Sequence, residues 1–299
     1  MTKRAYVICV PGTSETHEAL APLPPVGFTK TITDKLPPIA FGYEITSMSV
    51  PYTSAYGDKA SYSNSVKNGE KNLRKILKSI DSSDPNALVF LIGYSQGATI
   101  AGNIMQEWGL ETLTERLESQ LPHYMEAYYG IADPRRNSGD IVGPDPGGFG
   151  ITGQRGASGR ASDRMFQFCA PADIIASSNP EEDLFMEASQ FTNEFWIGDV
   201  ASWVGFTFAR LTDPAFQKQL RKNYPGLLGW FRFNKKLQRT LDRGLYYMTS
   251  QVHVKYGSYR LGSKSGQGPT VPEFIKDDIL RNLKLHQEAE DSLKEDEES

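Results

Sequence analysis

The amino-acid sequence predicts an α/β fold: a central, mostly parallel sheet covered by helices on both faces, with a helical subdomain inserted late in the chain. Three observations lead there. Short apolar runs rich in β-branched residues alternate with segments whose apolar residues recur at helical spacing, the mark of parallel strands joined by crossover helices. One of these runs is followed at once by a glycine-flanked serine and a second helix-patterned stretch. Between residues 181 and 250 the texture changes to crowded aromatic residues interleaved with charges at roughly helical spacing.

Taken in order, Arg4 to Val10 reads as the first strand, and Glu44 to Val50 (EITSMSV) as the second by its alternation and β-branched content. Val66 to Ile80 sets Leu73, Ile76, Leu77 and Ile80 on one helical face before Ser82-Ser83-Asp84-Pro85 breaks it. Ala87 to Ile92 reads as a fully buried strand and Ala98 to Glu107 as a helix. A polar helix is expected near Glu111 to Leu121, then strands at Met125 to Ile131 (MEAYYGI) and Met165 to Cys169 (MFQFC). Residues 137 to 163, between those strands, read as a long mobile loop near the site mouth. The aromatic stretch reads as an inserted helical subdomain, its rings either packing their own core and the sheet beneath or lining an apolar groove for an acyl chain. Phe274, Ile275, Ile279 and Leu283 begin an amphipathic helix, and the acidic end from Glu288 to Ser299 is expected to be solvated and partly disordered. The domain reading is a core of residues 1–180 and 251–285, an insertion at 181–250 and an acidic tail at 286–299.

With 299 residues, 39% of them hydrophobic, the chain can bury a large core. Its formal net charge of −4 argues against a general nucleic-acid binder, which needs a basic field to displace counterions from phosphates. Cys9 and Cys169 lie in strand-like runs with no metal-ligand spacing and read as buried, reduced thiols. The apolar run after the basic start stops at Pro11-Gly12, too short for a signal peptide, and no apolar run is long enough to span a bilayer. No signal peptide and no transmembrane segment are therefore expected.

The chemistry centres on Gly93-Tyr94-Ser95-Gln96-Gly97, which matches the nucleophile-elbow pattern G-x-S-x-G between an apolar strand and a helix. A serine there sits on a strained turn that lifts its hydroxyl above the sheet, and the glycines let strand and helix pass closely. In that fold the partners follow in the order acid, then histidine. His253 follows the aromatic insertion and is the candidate general base, whereas His286 falls in the polar end of the last helix and reads as a solvated surface residue. Two aspartates follow strand ends. Asp173 comes after the second strand beyond the nucleophile and is the candidate acid, while Asp133, close to Arg135 and Arg136, reads as a turn residue in a surface ion pair. Oxyanion donors are expected at the Gln96 N–H and at Thr13, in the loop that ends the first strand, a loop that also reads as a plain βα turn with Thr13 or Ser14 as a cap. Gly148-Phe149-Gly150-Ile151-Thr152-Gly153 fits a dinucleotide fingerprint, but neither a strand before it nor an amphipathic helix after it is present, and no cofactor is expected.

PGTSE after the first strand, GYSQGA at the elbow and FCAPAD after a later strand together resemble the cutinase-like serine esterases. Within them the sequence is most similar to the mycobacteriophage lysin B enzymes, mycolyl-arabinogalactan esterases that place a helical linker domain between catalytic aspartate and histidine; here 80 positions separate Asp173 from His253. The resemblance implies a cutinase-like α/β-hydrolase fold with Ser95 as nucleophile, Asp173 as acid, His253 as base and Thr13 as an oxyanion donor. It implies as substrate a lipid ester of a mycobacterial-type cell envelope, cleaved at lysis; without a signal peptide the protein is expected to be made in the infected host's cytoplasm, and a monomer is expected. A general cutinase or lipase, and an inactive hydrolase fold that grips envelope lipid, are the alternatives. The disulfides of secreted cutinases are absent.

Overall fold

In the computed structural model, which describes residues 3–55, 60–112, 121–190, 209–262 and 266–298, six strands form one sheet. They are β1 (Lys3–Val10), β2 (Ile39–Ala40), β3 (Tyr43–Ser49), β4 (Leu88–Tyr94), β5 (Met125–Ile131) and β6 (Met165–Phe168), in the order β2-β3-β1-β4-β5-β6. Every pairing is parallel except that of β2 with β3, a two-residue edge strand the sequence pattern did not reveal. Two layers of helix cover the sheet because its strands are apolar on both faces. Along β1, Ala5, Val7 and Cys9 point to one core with Ile32 of α1 (Gly27–Thr33) and Ile275, Ile279 and Leu283 of the last helix. Ile8 and Val10 point to the other, with α2 (Tyr62–Ser83) and α3 (Gln96–Leu110). Both cysteines are free and buried, and burial pushes each thiol up to about 12.

After β1 the chain moves to β3 on one side, and then returns to β4 on the other. Loops leaving adjacent strands in opposite directions open a crevice at their carboxyl ends, where open α/β sheets bind ligands. The loops after β1 and β4 are those that carry Thr13 and Ser95.

Among the described residues between β6 and the return of the chain lie α4 (Phe185–Gln190), α5 (Pro214–Leu220) and α6 (Gly226–Ser250). Leu184, Leu211, Phe216, Leu220 and Phe233 form a separate small core, while Phe185 and Tyr247 pack with Ile151, Ile174 and Ile175 beyond the sheet. The aromatic stretch thus divides: Phe185, Phe216, Phe233 and Tyr247 are buried, whereas Trp230, Phe231 and Tyr246 are exposed. Phe191, Phe195, Trp196, Trp203, Phe206 and Phe208 lie outside the described residues, as does most of the polar helix expected near Glu111 to Leu121.

Two expectations are corrected. The segment after β5 is the long irregular loop expected, but it is pinned rather than free: the buried Arg136 guanidinium donates to the carbonyls of Gly147, Gly148 and Ala176, and the Gly150 N–H donates to the Arg136 carbonyl. Charged side chains turned inward satisfy the turn carbonyls that solvent would otherwise have to reach. Nor is the acidic end a free tail at its start. The last helix, α7 (Val271–Glu298), runs through it, and Glu290 meets Lys3 Nζ at 2.5 Å while Tyr43 OH donates to Glu290 at 3.2 Å. Lys3 on β1 supplies the counter-charge that a composition argument cannot see.

Candidate active site

Ser95 stands between the end of β4 and the first residue of α3 with φ 53° and ψ −119°, a strained conformation for a residue with a Cβ. What imposes it is close packing. A Cβ on Gly97 would run into the Val10 carbonyl oxygen, and one on Gly93 would lie 2.5 Å from the Ala98 Cα, so strand and helix can cross here only with glycine on both sides. The Ser95 N–H donates to the Ile131 carbonyl at 2.8 Å, tying the elbow to the end of β5.

His253 arrives from a distant part of the chain. Helix α6 ends at Gln251, whose left-handed conformation turns the backbone into a single 3-10 turn, Val252–Val254. The structure brings the three candidate residues together. His253 Nε2 lies 2.9 Å from Ser95 Oγ, and His253 Nδ1 lies 3.0 Å from Asp173 Oδ2. All three are buried, Asp173 completely.

Neighbours that motif reading passed over hold this chain of hydrogen bonds in place. Tyr256, one turn beyond His253, donates its hydroxyl to Asp173 Oδ2 at 2.7 Å and accepts the Ala170 N–H at 2.9 Å. Burial and then the Asp173 charge hold its phenol well above the usual range, so it stays a donor. Tyr94 of the elbow donates to the His253 carbonyl at 2.7 Å, with its ring centroid 5.4 Å from the imidazole. The only sequence signal for either was its nearness to a motif residue.

The loop after β1 faces the same point. Thr13 lines the cleft, and its hydroxyl is buried without a hydrogen-bond partner. The Gln96 N–H, at the first position of α3, has no intrahelical acceptor. The Gln96 side chain is turned away, accepting from Ser65 Oγ and donating to the Ala55 carbonyl. Glu15 anchors the loop: Oε2 accepts the Gly12 N–H at 2.7 Å and Oε1 accepts the Phe28 N–H at 2.9 Å. Burial raises the Glu15 carboxyl above its ordinary value, with these two N–H groups and His253 pulling the other way. A cleft of about 510 Å³ opens over Ser95, with Tyr247, Met248 and Val254 as its apolar wall.

The residues set aside from the site behave differently from their sequence reading. Asp133 is fully buried and away from the histidine, and its partner is Arg155 rather than a neighbouring arginine. Its carboxylate accepts from Arg155 at 2.7 Å, Tyr128 OH at 3.0 Å and the Arg135 N–H at 2.8 Å. Burial alone would raise this carboxyl, but the Arg155 charge and the hydrogen bonds outweigh it and hold it below its ordinary value. A surface pair was expected because Arg135 and Arg136 adjoin it in sequence; the fold instead delivers an arginine twenty-two positions on. His286, likewise, is not simply solvated: it lies 3.0 Å from the buried carboxylate of Glu126.

Residues 30–184, just over half of the chain, match the cutinase family model. The chain belongs to the cutinase family. The cutinase-like α/β-hydrolase fold is the parallel sheet and flanking helices described above. Over 206 residues the chain is 27% identical to a carboxylesterase Culp6 homolog of Corynebacterium glutamicum, an alignment covering 58% of this chain and 64% of that relative. The chain therefore spans less than two thirds of the length of this curated relative. Among solved structures it is similar to the catalytic core domain of acetyl xylan esterase from Trichoderma reesei, at 19% identity and TM-score 0.46 over 64% of this chain and 97% of that one. It is also similar to lysin B from Mycobacteriophage D29, at 16% identity and TM-score 0.47 over 93% of this chain and 99% of that one.

Proposed function

We propose that this cutinase-family chain is a serine esterase that hydrolyses long-chain acyl, specifically mycolyl, esters of cell-wall arabinogalactan during phage-induced host lysis. The observation that carries the esterase reading is the unbroken run from Ser95 Oγ through the imidazole to Asp173, at 2.9 and 3.0 Å. Ser95 Oγ gives its proton to His253 Nε2 as it attacks the ester carbonyl. Asp173 accepts from Nδ1–H, fixes the tautomer and stabilises the imidazolium without taking the proton. The oxyanion is held by the Gln96 N–H and by Thr13, whose unpartnered hydroxyl is a second donor beside its backbone N–H. The leaving alcohol takes the proton from Nε2, and water activated by the same nitrogen frees the acid. The mycolyl substrate is supported by the motifs PGTSE, GYSQGA and FCAPAD, by the long interval between acid and base, and by the apolar wall of the cleft.

The test is Ser95→Ala assayed on mycolated cell wall for free mycolic acid and on short soluble esters. Wild type should release mycolate, and the variant should lose at least ~10⁴-fold in kcat with its fold intact. Cleavage of short esters with no mycolate release leaves a general carboxylesterase. Fluorophosphonate labelling at a residue other than Ser95 would overturn the site itself.

A further inference from the structure

Helix α6 has two unlike ends. Its last turn supplies Tyr247 and Met248 to the cleft. Its first turns present Leu227, Leu228, Trp230 and Phe231 to solvent at 72%, 86%, 40% and 57% exposure. The residue between them, Gly229, packs against the Tyr224 backbone, and Gly226 at φ 75° has open space where a Cβ would stand. The Trp230 and Phe231 rings meet edge-on with centroids 4.9 Å apart, forming one knob. Isolated exposed leucines are ordinary, but four large apolar side chains within five consecutive positions at one tip are not.

Charge indicates what covers the tip. From Pro214 to Leu241 the chain carries seven lysines and arginines and no aspartate or glutamate, in a protein whose net charge is −4. Arg232 and Arg239 pair with Glu181 and Glu182, and Lys236 is buried against the Pro180 carbonyl and Tyr224. Lys218, Arg221, Lys222 and Lys235 are exposed and form no ion pair among the described residues. A second copy docked symmetrically on this patch would set these cations against themselves. An anionic lipid surface satisfies both features, taking the rings into the headgroup and acyl boundary and the cations among the headgroups.

We propose that the first turns of α6, Leu227 to Phe231 with the cations around them, form an anchor that docks the protein on an anionic lipid bilayer surface. Leu245 and Tyr246 lie five helical turns beyond Leu227 and Leu228, on the same face, and both are exposed beside the cleft residues. The anchor goes beyond the Ser95 chemistry and does not rest on it.

The experiment is co-sedimentation of the full chain, carrying Ser95→Ala so that no lipid is cleaved. The vesicles are pure phosphatidylcholine or equal parts phosphatidylcholine and phosphatidylglycerol. The protein should bind the anionic vesicles and release in high salt. Leu228→Ser with Phe231→Ser should weaken binding roughly tenfold or more, and Lys222→Glu with Lys235→Glu should weaken it at low salt only. Both pairs, in the Ser95 background, should leave circular dichroism and rates on a short soluble ester unchanged. Absence of wild-type binding, or variants that bind as well as wild type, would overturn the proposal. So would a dimer in size-exclusion chromatography that the Leu228 and Phe231 changes dissociate. Loss of soluble-ester hydrolysis falls on Ser95→Ala and loss of vesicle binding on the tip variants, so the two readings fail separately.

Discussion

Glu15 is the sharpest test of how the loop after β1 is held. Its two carboxylate oxygens each take one backbone N–H, from Gly12 at 2.7 Å and from Phe28 at 2.9 Å. Glutamine keeps the shape but has one carbonyl oxygen, so in either orientation one N–H meets an NH₂ group. The lost hydrogen bond to a charged acceptor is worth about 1.5–3 kcal/mol. Burial outweighs the two N–H groups for the charged form, so at neutral pH the relief of removing that charge offsets most of the loss, and the net cost rises to about 1–2 kcal/mol only in acid, where the neutral carboxyl carries no such penalty. Thr13 is two residues from Glu15 and one from the freed Gly12 N–H. Outright removal of an oxyanion donor costs about 10²–10³-fold in kcat; a loosened loop should cost about 10-fold in Glu15→Gln and approach 10²-fold in Glu15→Ala, with KM little changed. The assay is steady-state hydrolysis of a soluble ester, with thermal unfolding measured in parallel. The pH dependence has a definite sign. Burial raises the folded carboxyl above the ordinary value of 4.5, so the folded chain holds that proton more tightly than the unfolded chain does. The stability this adds is complete below 4.5 and is lost as pH rises through the folded value. The gap in Tm between wild type and Glu15→Gln should be widest in acid and narrow toward neutral pH. A Glu15→Ala enzyme with kcat within twofold of wild type, or a Tm gap that widens as pH rises, would refute this account.

Asp133→Asn should cost about 3–5 kcal/mol in urea unfolding, because it leaves the buried Arg155 guanidinium without its charge partner. As the Asp133 carboxyl lies below its ordinary value, the stability it gives wild type holds above 3.8 and is lost as pH falls through the lower folded value. Tyr256→Phe should lose about 2–3 kcal/mol, since the Ala170 N–H keeps no acceptor and Asp173 loses a donor, and should lower kcat more than it raises KM. Gly97→Ala should abolish soluble expression or cost more than about 4 kcal/mol, because its Cβ meets backbone at Val10 and Pro11. Gly153→Ala, with φ 95° and open space, should cost only about 1–2 kcal/mol by thermal melting.

The sequence by itself determined what depends on near neighbours. Alternation and β-branched content along Glu44 to Val50 marked one strand, the unbroken apolar run at Ala87 to Ile92 marked another buried on both faces, and their alternation with helix-patterned stretches gave a parallel sheet between helical layers. The elbow was legible for the same reason: two glycines, a serine and a turn between strand and helix are a five-residue steric arrangement. The order of acid and histidine narrowed the partners to Asp173 and His253 but could not show that they meet. Only the tertiary structure decided that, because the separation of 80 positions is closed by α6, its left-handed end at Gln251, and the hydroxyls of Tyr94 and Tyr256. Charge partners were illegible for a related reason. Adjacency in sequence suggested Arg135 or Arg136 for Asp133 and solvent for Glu290, whereas packing delivered Arg155 and Lys3. A backbone conformation is set by residues a few bonds away, but a buried charge is satisfied by whichever opposite charge the folded chain carries to it.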